Sequence, residues 1–311
     1  MSVFASRVLS RRRLLSGGIA ALGASLILPR GAVAAADAPI RALTFDGDTP
    51  VAATATGLWR IGAGQARKLP LTGKVSILTS HPARQGTLFA ALATGGLRRS
   101  DDGGDTWTDA GNGLPTAPIT AMTIAALEPR MIYAALQGDG LWRSENSGES
   151  WEFVMDRPYL DSAEQEVLSL VSVASPTGMG GIWLYAGTAA GLTRVPDCFC
   201  RWQDVTTGDA MDALAAGKTP PPAAPLPRDE PITHLALAPD APERLYAGLS
   251  SGLWASGDAG VNWARVSAGA IGALATRPAD PLHLIAARAG GLSVSRDGGA
   301  TWTSSTSFKD S

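Results

Sequence analysis

The sequence predicts an all-β chain folded as a six-bladed β-propeller of four-stranded antiparallel blades. Three observations predict it. A Gly-Leu pair opening a short apolar segment recurs at residues 57, 96, 140, 191, 252 and 291. An octapeptide of the pattern Ser, any, Asp or Asn, any, Gly, any, Thr/Ser/Asn, Trp follows four of those pairs, as SDDGGDTW (100–107), SENSGESW (144–151), SGDAGVNW (256–263) and SRDGGATW (295–302). Helical periodicity is absent after the N-terminal segment, while 36 glycines and 21 prolines divide the chain into short runs. Several short strands repeated every roughly 40 to 60 residues are the mark of radial β-sheet repetition.

In chain order, residues 1–36 read as an export signal. SRRRLLS (10–16) precedes the uncharged run GGIAALGASLILP and the small-residue stretch AVAAA, with cleavage expected after Ala34 or Ala36. Arg11 and Arg12 in that setting resemble a twin-arginine signal, which implies a periplasmic or extracellular protein exported already folded. Residues 37–311 then form a single propeller domain with a long interblade insertion at 203–231. Loss of the signal removes five arginines and no acids, leaving 21 basic against 28 acidic side chains, so the mature chain is acidic. No basic cluster remains to hold a phosphate backbone, which argues against nucleic acid. A monomer is expected.

Each unit supplies four strands. The first is a short apolar segment: IRALTF (40–45), VSILTS (75–80), ITAMTI (119–124), VLSLVS (167–172), ITHLAL (232–237) and IGALAT (271–276). An LYAG-like run, the Gly-Leu strand and a strand opening at the octapeptide tryptophan follow, each roughly 4 to 6 residues long on this reading. Units one (50–69) and four (184–202) are degenerate, and in unit four the octapeptide is overwritten by VPDCFCRW (195–202).

The octapeptide reads as scaffold. Ser100, Ser144, Ser256 and Ser295 open a hairpin turn in which Asp102, Asn146, Asp258 and Asp297 accept backbone N–H groups, the mechanism of an Asx turn. Gly104, Gly148, Gly260 and Gly299 supply a backbone geometry closed to other residues. Trp107, Trp151, Trp263 and Trp302 bury large rings between adjacent sheets. A calcium site of Asp101, Asp102 and Asp105 is the alternative, although the other copies offer one acid or a neutral Asn at the equivalent positions.

With these motifs the chain resembles the bacterial neuraminidase repeat, or Asp-box, propellers over nearly all of residues 40–307. That superfamily includes sialidases, xyloglucan-type glycoside hydrolases and the photosystem II stability and assembly factors. The resemblance implies that the box turns lie on the rim opposite the ligand face. A sialidase would need an arginine triad, its first member in a Phe/Tyr-Arg-Ile-Pro motif, and a tyrosine nucleophile with a glutamate partner. The motif is missing. Arg41 in PIRAL is the closest positional candidate, and Tyr159 beside Glu164 the only imaginable nucleophile pair.

The candidate binding face therefore comprises Arg41, Asp139, Arg157, Tyr159, Asp161, Glu164 and His234, drawn from the second-to-third-strand turns, the interblade loop 155–166 and one inner strand. His234 occupies a slot held elsewhere by Ala42, Ile77, Ala121, Ser169 and Ala273. Cys198 and Cys200, the only cysteines, could bridge as a disulfide in an exported protein, exchange with a redox partner or metal, or pair with another chain. Three scattered histidines make no zinc pattern, and no cofactor or catalytic set is called for. The reading is a non-catalytic, exported protein-binding scaffold, an assembly or stability factor for a periplasmic or membrane-associated complex. The alternative is a glycan-binding or sialidase-like glycoside hydrolase propeller, with Trp59, Trp142, Trp183 and Trp254 as stacking platforms.

Overall fold

The computed structural model describes residues 39–305, apart from 63–64, 175–180, 206–216, 218–223 and 290. The export signal lies outside the described residues, as does most of the 203–231 insertion with Pro220, Pro221 and Pro222. The chain is a six-bladed β-propeller of four-stranded antiparallel sheets, with the strands of each blade ordered from the centre outwards as in the sequence. Blade one is Ile40–Asp46, Thr49–Thr54, Gly57–Ile61 and Ala66–Leu69, and blade two is Val75–Ser80, Leu88–Leu92, Leu97–Ser100 and Thr108–Asp109. Blade three is Ile119–Ile124, Ile132–Leu136, Gly140–Ser144 and Glu152–Asp156, and blade four is Ser169–Ala174, Ile182–Gly187, Leu192–Pro196 and Gln203–Asp204. Blade five is His234–Leu237, Leu245–Gly248, Gly252–Ser256 and Ala264–Ala268, and blade six is Ala273–Arg277, Asp280–Arg288, Gly291–Ser295 and Thr303–Ser304. No helix among the described residues is long and apolar enough to cross a membrane.

The second strands are apolar on both faces because each is covered by a blade on either side. Ile132 to Leu136 are all buried, and Leu88 to Ala91 are fully so. Their side chains fall into hydrophobic clusters that each straddle one pair of neighbouring blades. The last of these, built on Leu43, Phe45, Ala275 and Ile285, joins blade six to blade one and closes the ring. Leu43, Leu78, Met122, Leu170, Leu235 and Leu274 hold one register on the inner strands, and each packs towards the preceding blade. Burial of one such leucine is worth about 1.5–3 kcal/mol.

The outer strands depart from the expected length. They run 4, 5 and 5 residues in blades one, three and five but only two in blades two, four and six. The difference follows the third strand: Trp59, Trp142 and Trp254 face Lys68, Phe153 and Arg265 across the longer ladders. At the same position the short blades carry Arg98, Thr193 and Ser293. A large ring gives the partner strand a surface to pair against, and the smaller or charged side chains do not.

Candidate functional site

The octapeptides build one end of the ring. In each copy the serine Oγ accepts the N–H of the glycine four residues on, at 2.8, 2.8, 2.9 and 2.8 Å, and donates to the Asp or Asn Oδ1 at 2.8–2.9 Å. That Oδ1 in turn accepts the backbone N–H of the residue before the tryptophan, at 2.9 Å every time. The glycines sit at φ of 85–95°, a region that strains any side-chain-bearing residue, and a Cβ on Gly299 would lie 2.0 Å from Leu253 Cδ2. A fourth bond fixes each turn to its own blade, to the loop between the first two strands in three copies (Gly103 N–H to Gly86 O, Ser147 to Arg130, Ala259 to Glu243) and to the start of the second strand in the last (Gly298 to Leu282).

Hydrogen bonding holds the box carboxylates strongly ionised. The Thr301 hydroxyl and N–H, with Ser295, bring Asp297 down to about 2, and the same set from Thr106 and Ser100 lowers Asp102. Burial opposes the shift at Asp258, yet its bonds from Asn262 and Ser256 outweigh it. The three acids of the first box serve different partners: Asp101 accepts from Arg99, Asp102 from its own turn, and Asp105 from Arg67 at 2.5 Å. Trp151 and Trp263 are buried, with indole N–H groups donating to Ala110 O and Gly260 O, while Trp107 and Trp302 are half-buried. In blade four Cys198 and Cys200 are joined by a disulfide with Cα atoms 5.4 Å apart. Phe199 between them stands at φ 50° against Tyr133, and Trp202 fills the tryptophan slot although the octapeptide is gone.

The opposite end carries the inner-strand starts, the second-to-third-strand turns and the interblade connections. There the central channel opens into a cavity of about 230 Å³ lined by Arg41, Ser76, Thr120, Ser169, Thr233 and His234. Arg41, Ser76 and Thr120 lie where the inner-strand register slips by one residue, so each is displaced from the ladder. Ser76 and Thr120 donate their hydroxyls to backbone carbonyls, Ala91 O and Ala135 O. Arg41 is exposed and has no hydrogen-bond partner among the described residues. Burial pushes the His234 imidazole down to about 4, so it is neutral at physiological pH.

The remaining candidates gather on blade three. Tyr159–Leu160 and Ala163–Glu164 form a two-stranded hairpin turning through Asp161 and Ser162, both at positive φ. Arg157 braces it by pairing with Glu164 and, at 2.5 Å, with Glu166. Glu166 also accepts Gly138 N–H at 3.1 Å, tying the hairpin to the turn that holds Asp139. Asp139 itself accepts the Trp142 indole at 2.8 Å. Tyr159 is 67% exposed and stands across the hairpin from Glu164, but its hydroxyl donates to Ser162 O at 2.8 Å and Glu164 is paired with Arg157. The structure thus brings Arg157, Tyr159, Asp161 and Glu164 together, sets Asp139 beside them, and places Arg41 and His234 in the channel mouth. Glu230 escaped the sequence reading; it accepts Ser251 N–H and Ser250 Oγ and so fixes the equivalent turn of blade five. The four proposed stacking tryptophans are buried or half-buried, and three donate their indoles to a nearby turn side chain: Trp59 to Thr54, Trp142 to Asp139 and Trp254 to Ser251.

No protein-family profile matches the sequence. No curated protein matches it either. Among solved structures the chain is similar to an ancestral GH74 enzyme, at TM-score 0.55 and 16% identity over 86% of this chain and 38% of that one. It is also similar to a chain of the COPII outer coat vertex on membranes, at TM-score 0.57 and 9% identity over 83% and 70% of the two chains. A structure of YCF48 bound to a D1 peptide aligns at TM-score 0.48 and 14% identity over 83% and 75% of the two chains. This chain spans well under half the length of the GH74 protein. At such identities the likeness reaches the propeller fold and stops there.

Proposed function

We propose that this protein is a non-catalytic propeller, exported by the twin-arginine route, that binds a protein partner as an assembly or stability factor for a periplasmic or membrane-associated complex. The observation that carries the reading is the blade-three hairpin. It presents an exposed aromatic ring on a short ladder whose conformation is set by the Arg157–Glu164–Glu166 pairs, and a rigid aromatic on a braced support is the usual anchor of a protein interface. Its Glu164 and Glu166 carboxylates are occupied in bracing, which suits recognition better than proton transfer. The hydroxyl-lined channel mouth at the same end extends the surface towards Arg41 and His234.

A photocrosslinking side chain placed at Tyr159 in the producing cell tests this. A single discrete adduct in the membrane fraction, absent when the same group replaces Leu127 at the box end, is the expected result. No adduct from position 159, or glycan binding or hydrolysis abolished by Arg41→Ala, would overturn it. Export is tested separately: Arg11→Lys with Arg12→Lys leaves an unprocessed precursor if the twin-arginine route is used.

A further inference from the structure

In VPDCFCRW (195–202) the overwriting of the octapeptide is partial. Asp197, Phe199 and Trp202 stand at the third, fifth and eighth positions, those of the Asp, Gly and Trp in the intact copies. The turn closes without help from the disulfide. Phe199 N–H donates to Pro196 O at 2.8 Å and Asp197 N–H to Ile182 O at 3.0 Å, while the Tyr133 hydroxyl donates to Asp197 Oδ1 at 2.6 Å. The Phe199 ring packs against Tyr133 with the Arg143 guanidinium over its face, and the Trp202 indole is anchored on Asp156 O. Cys198 and Cys200 take the fourth and sixth positions, whose side chains have no part in closing the intact turns.

A bridge in that place adds little to the fold. It spans a single residue, and the chain entropy that a disulfide removes from the unfolded state is least for the shortest loops. It also closes over Phe199 at φ 50°, in the left-handed region where a residue with a side chain is strained and where the intact copies keep glycine. Opening the bridge lets that residue relax. Both cysteines are exposed, so an incoming thiolate can reach either sulfur. Arg201, exposed and next in the chain, is a cation that favours departure of Cys200 as a thiolate. Exposed bridges whose opening relieves strain are the exchangeable ones, whereas structural bridges resist reduction by glutathione.

We propose that Cys198–Cys200 is a thiol–disulfide exchange site that oxidises a dithiol carried by a partner polypeptide. A thiolate of the partner attacks one sulfur of the bridge and forms a mixed disulfide, and the other cysteine departs as a thiolate. The partner's second thiolate then attacks the partner sulfur of the mixed disulfide, closing the partner's own S–S bond and releasing the remaining cysteine. Two electrons pass from the partner's thiols to the bridge, and the two thiol protons end on Cys198 and Cys200, so each chain oxidises one dithiol. The turn lies at the box end of blade four, opposite the Tyr159 hairpin, so the proposal stands or falls apart from the partner-binding reading.

The purified, oxidised protein is mixed with a reduced synthetic peptide carrying a pair of cysteines, and free thiols are counted by alkylation without denaturant. The protein should oxidise one equivalent of peptide per chain, at about ten times or more the rate given by the same concentration of oxidised glutathione, and gain both of its thiols. Reduced glutathione at about 10 mM should open the bridge while Tm stays within about 3 °C of the oxidised form. The double variant Cys198→Ser with Cys200→Ser should keep that Tm and oxidise no peptide. A bridge that opens only when the chain is denatured, or whose opening unfolds it, overturns the proposal. So does peptide oxidation no faster than by glutathione, or oxidation that persists in the double variant.

Discussion

Ser256→Ala isolates the role of the repeated octapeptide. The Ser256 hydroxyl is buried, accepts Gly260 N–H at 2.9 Å and donates to Asp258 Oδ1 at 2.8 Å. Alanine leaves the glycine N–H buried without a partner, at about 1–3 kcal/mol, whereas the exposed side of Asp258 regains water and adds little. About 2 kcal/mol is therefore expected, and at about 2–4 °C per kcal/mol for a chain of this size Tm falls by about 4–8 °C. Because the serine-to-glycine distance is repeated within 0.1 Å in all four copies, Ser100→Ala, Ser144→Ala and Ser295→Ala should cost the same within a few tenths of a kcal/mol. Thermal and urea unfolding followed by tryptophan fluorescence measure it. Were the four substitutions individually neutral in stability while one abolished binding of a ligand, the turns would be sites rather than braces and the reasoning would be refuted.

Three further outcomes are expected. Asp297→Asn should flatten part of the acid limb of the stability curve: the folded pKa lies near 2, below the ordinary 3.8, so the wild-type carboxylate contributes stability above the higher value that is lost as pH falls towards the lower one. The second box, SENSGESW, already carries Asn146 and serves as the natural control. Trp151→Ala should cost about 3–5 kcal/mol, and Trp151→Phe less, since only the bond to Ala110 O and part of the packing are lost; calorimetry distinguishes them. His234 should titrate near 4 by NMR, and because its folded pKa lies below the ordinary 6.5, it makes stability fall as pH drops from 6.5 towards 4. His234→Ala, the residue found in this slot at positions 42, 121 and 273, should remove that slope and leave neutral-pH Tm close to wild type.

What could be read from the sequence was whatever is local. Ser100, Asp102, Gly104 and Thr106 bond one another within eight residues, so their spacing already contained the turn. The Gly-Leu pairs mark a strand boundary for the same reason. Blade four shows where pattern and packing part: its octapeptide is overwritten, yet Trp202 occupies the expected interblade slot, with its indole donating to Asp156 O. The cavity beside Arg99 needs a loop of blade two and a loop and box of blade three to meet, and no spacing rule carries that. Buried Asp46 and half-buried Arg60 form a pair in blade one that reaches Gly86 N–H and Gly103 O of blade two. They read as ordinary strand residues until the neighbouring blade is set beside them. Glu166 was one acid among several until its bond to Gly138 gave it a function.

The closure of the ring shows why a repeat can lose its octapeptide without losing the fold. Blade one has no box, so its interface with blade six has Ile61 and Val294 where neighbouring interfaces have a tryptophan. Each blade is also built from consecutive strands, so no strand is shared across this junction. Its polar link is Arg277 to Asp48, at 2.6 Å across 229 residues, whereas Thr44 and Ser80 link blades one and two across 36. Loop-closure entropy grows only as the logarithm of the span, so the longer closure costs about 1.6 kcal/mol more than the shorter. One buried leucine offsets that difference. Leu43 and Leu292, with the edge of Phe45 against His283, therefore offset the longer closure between blades six and one, where unit one, like unit four, lacks the octapeptide.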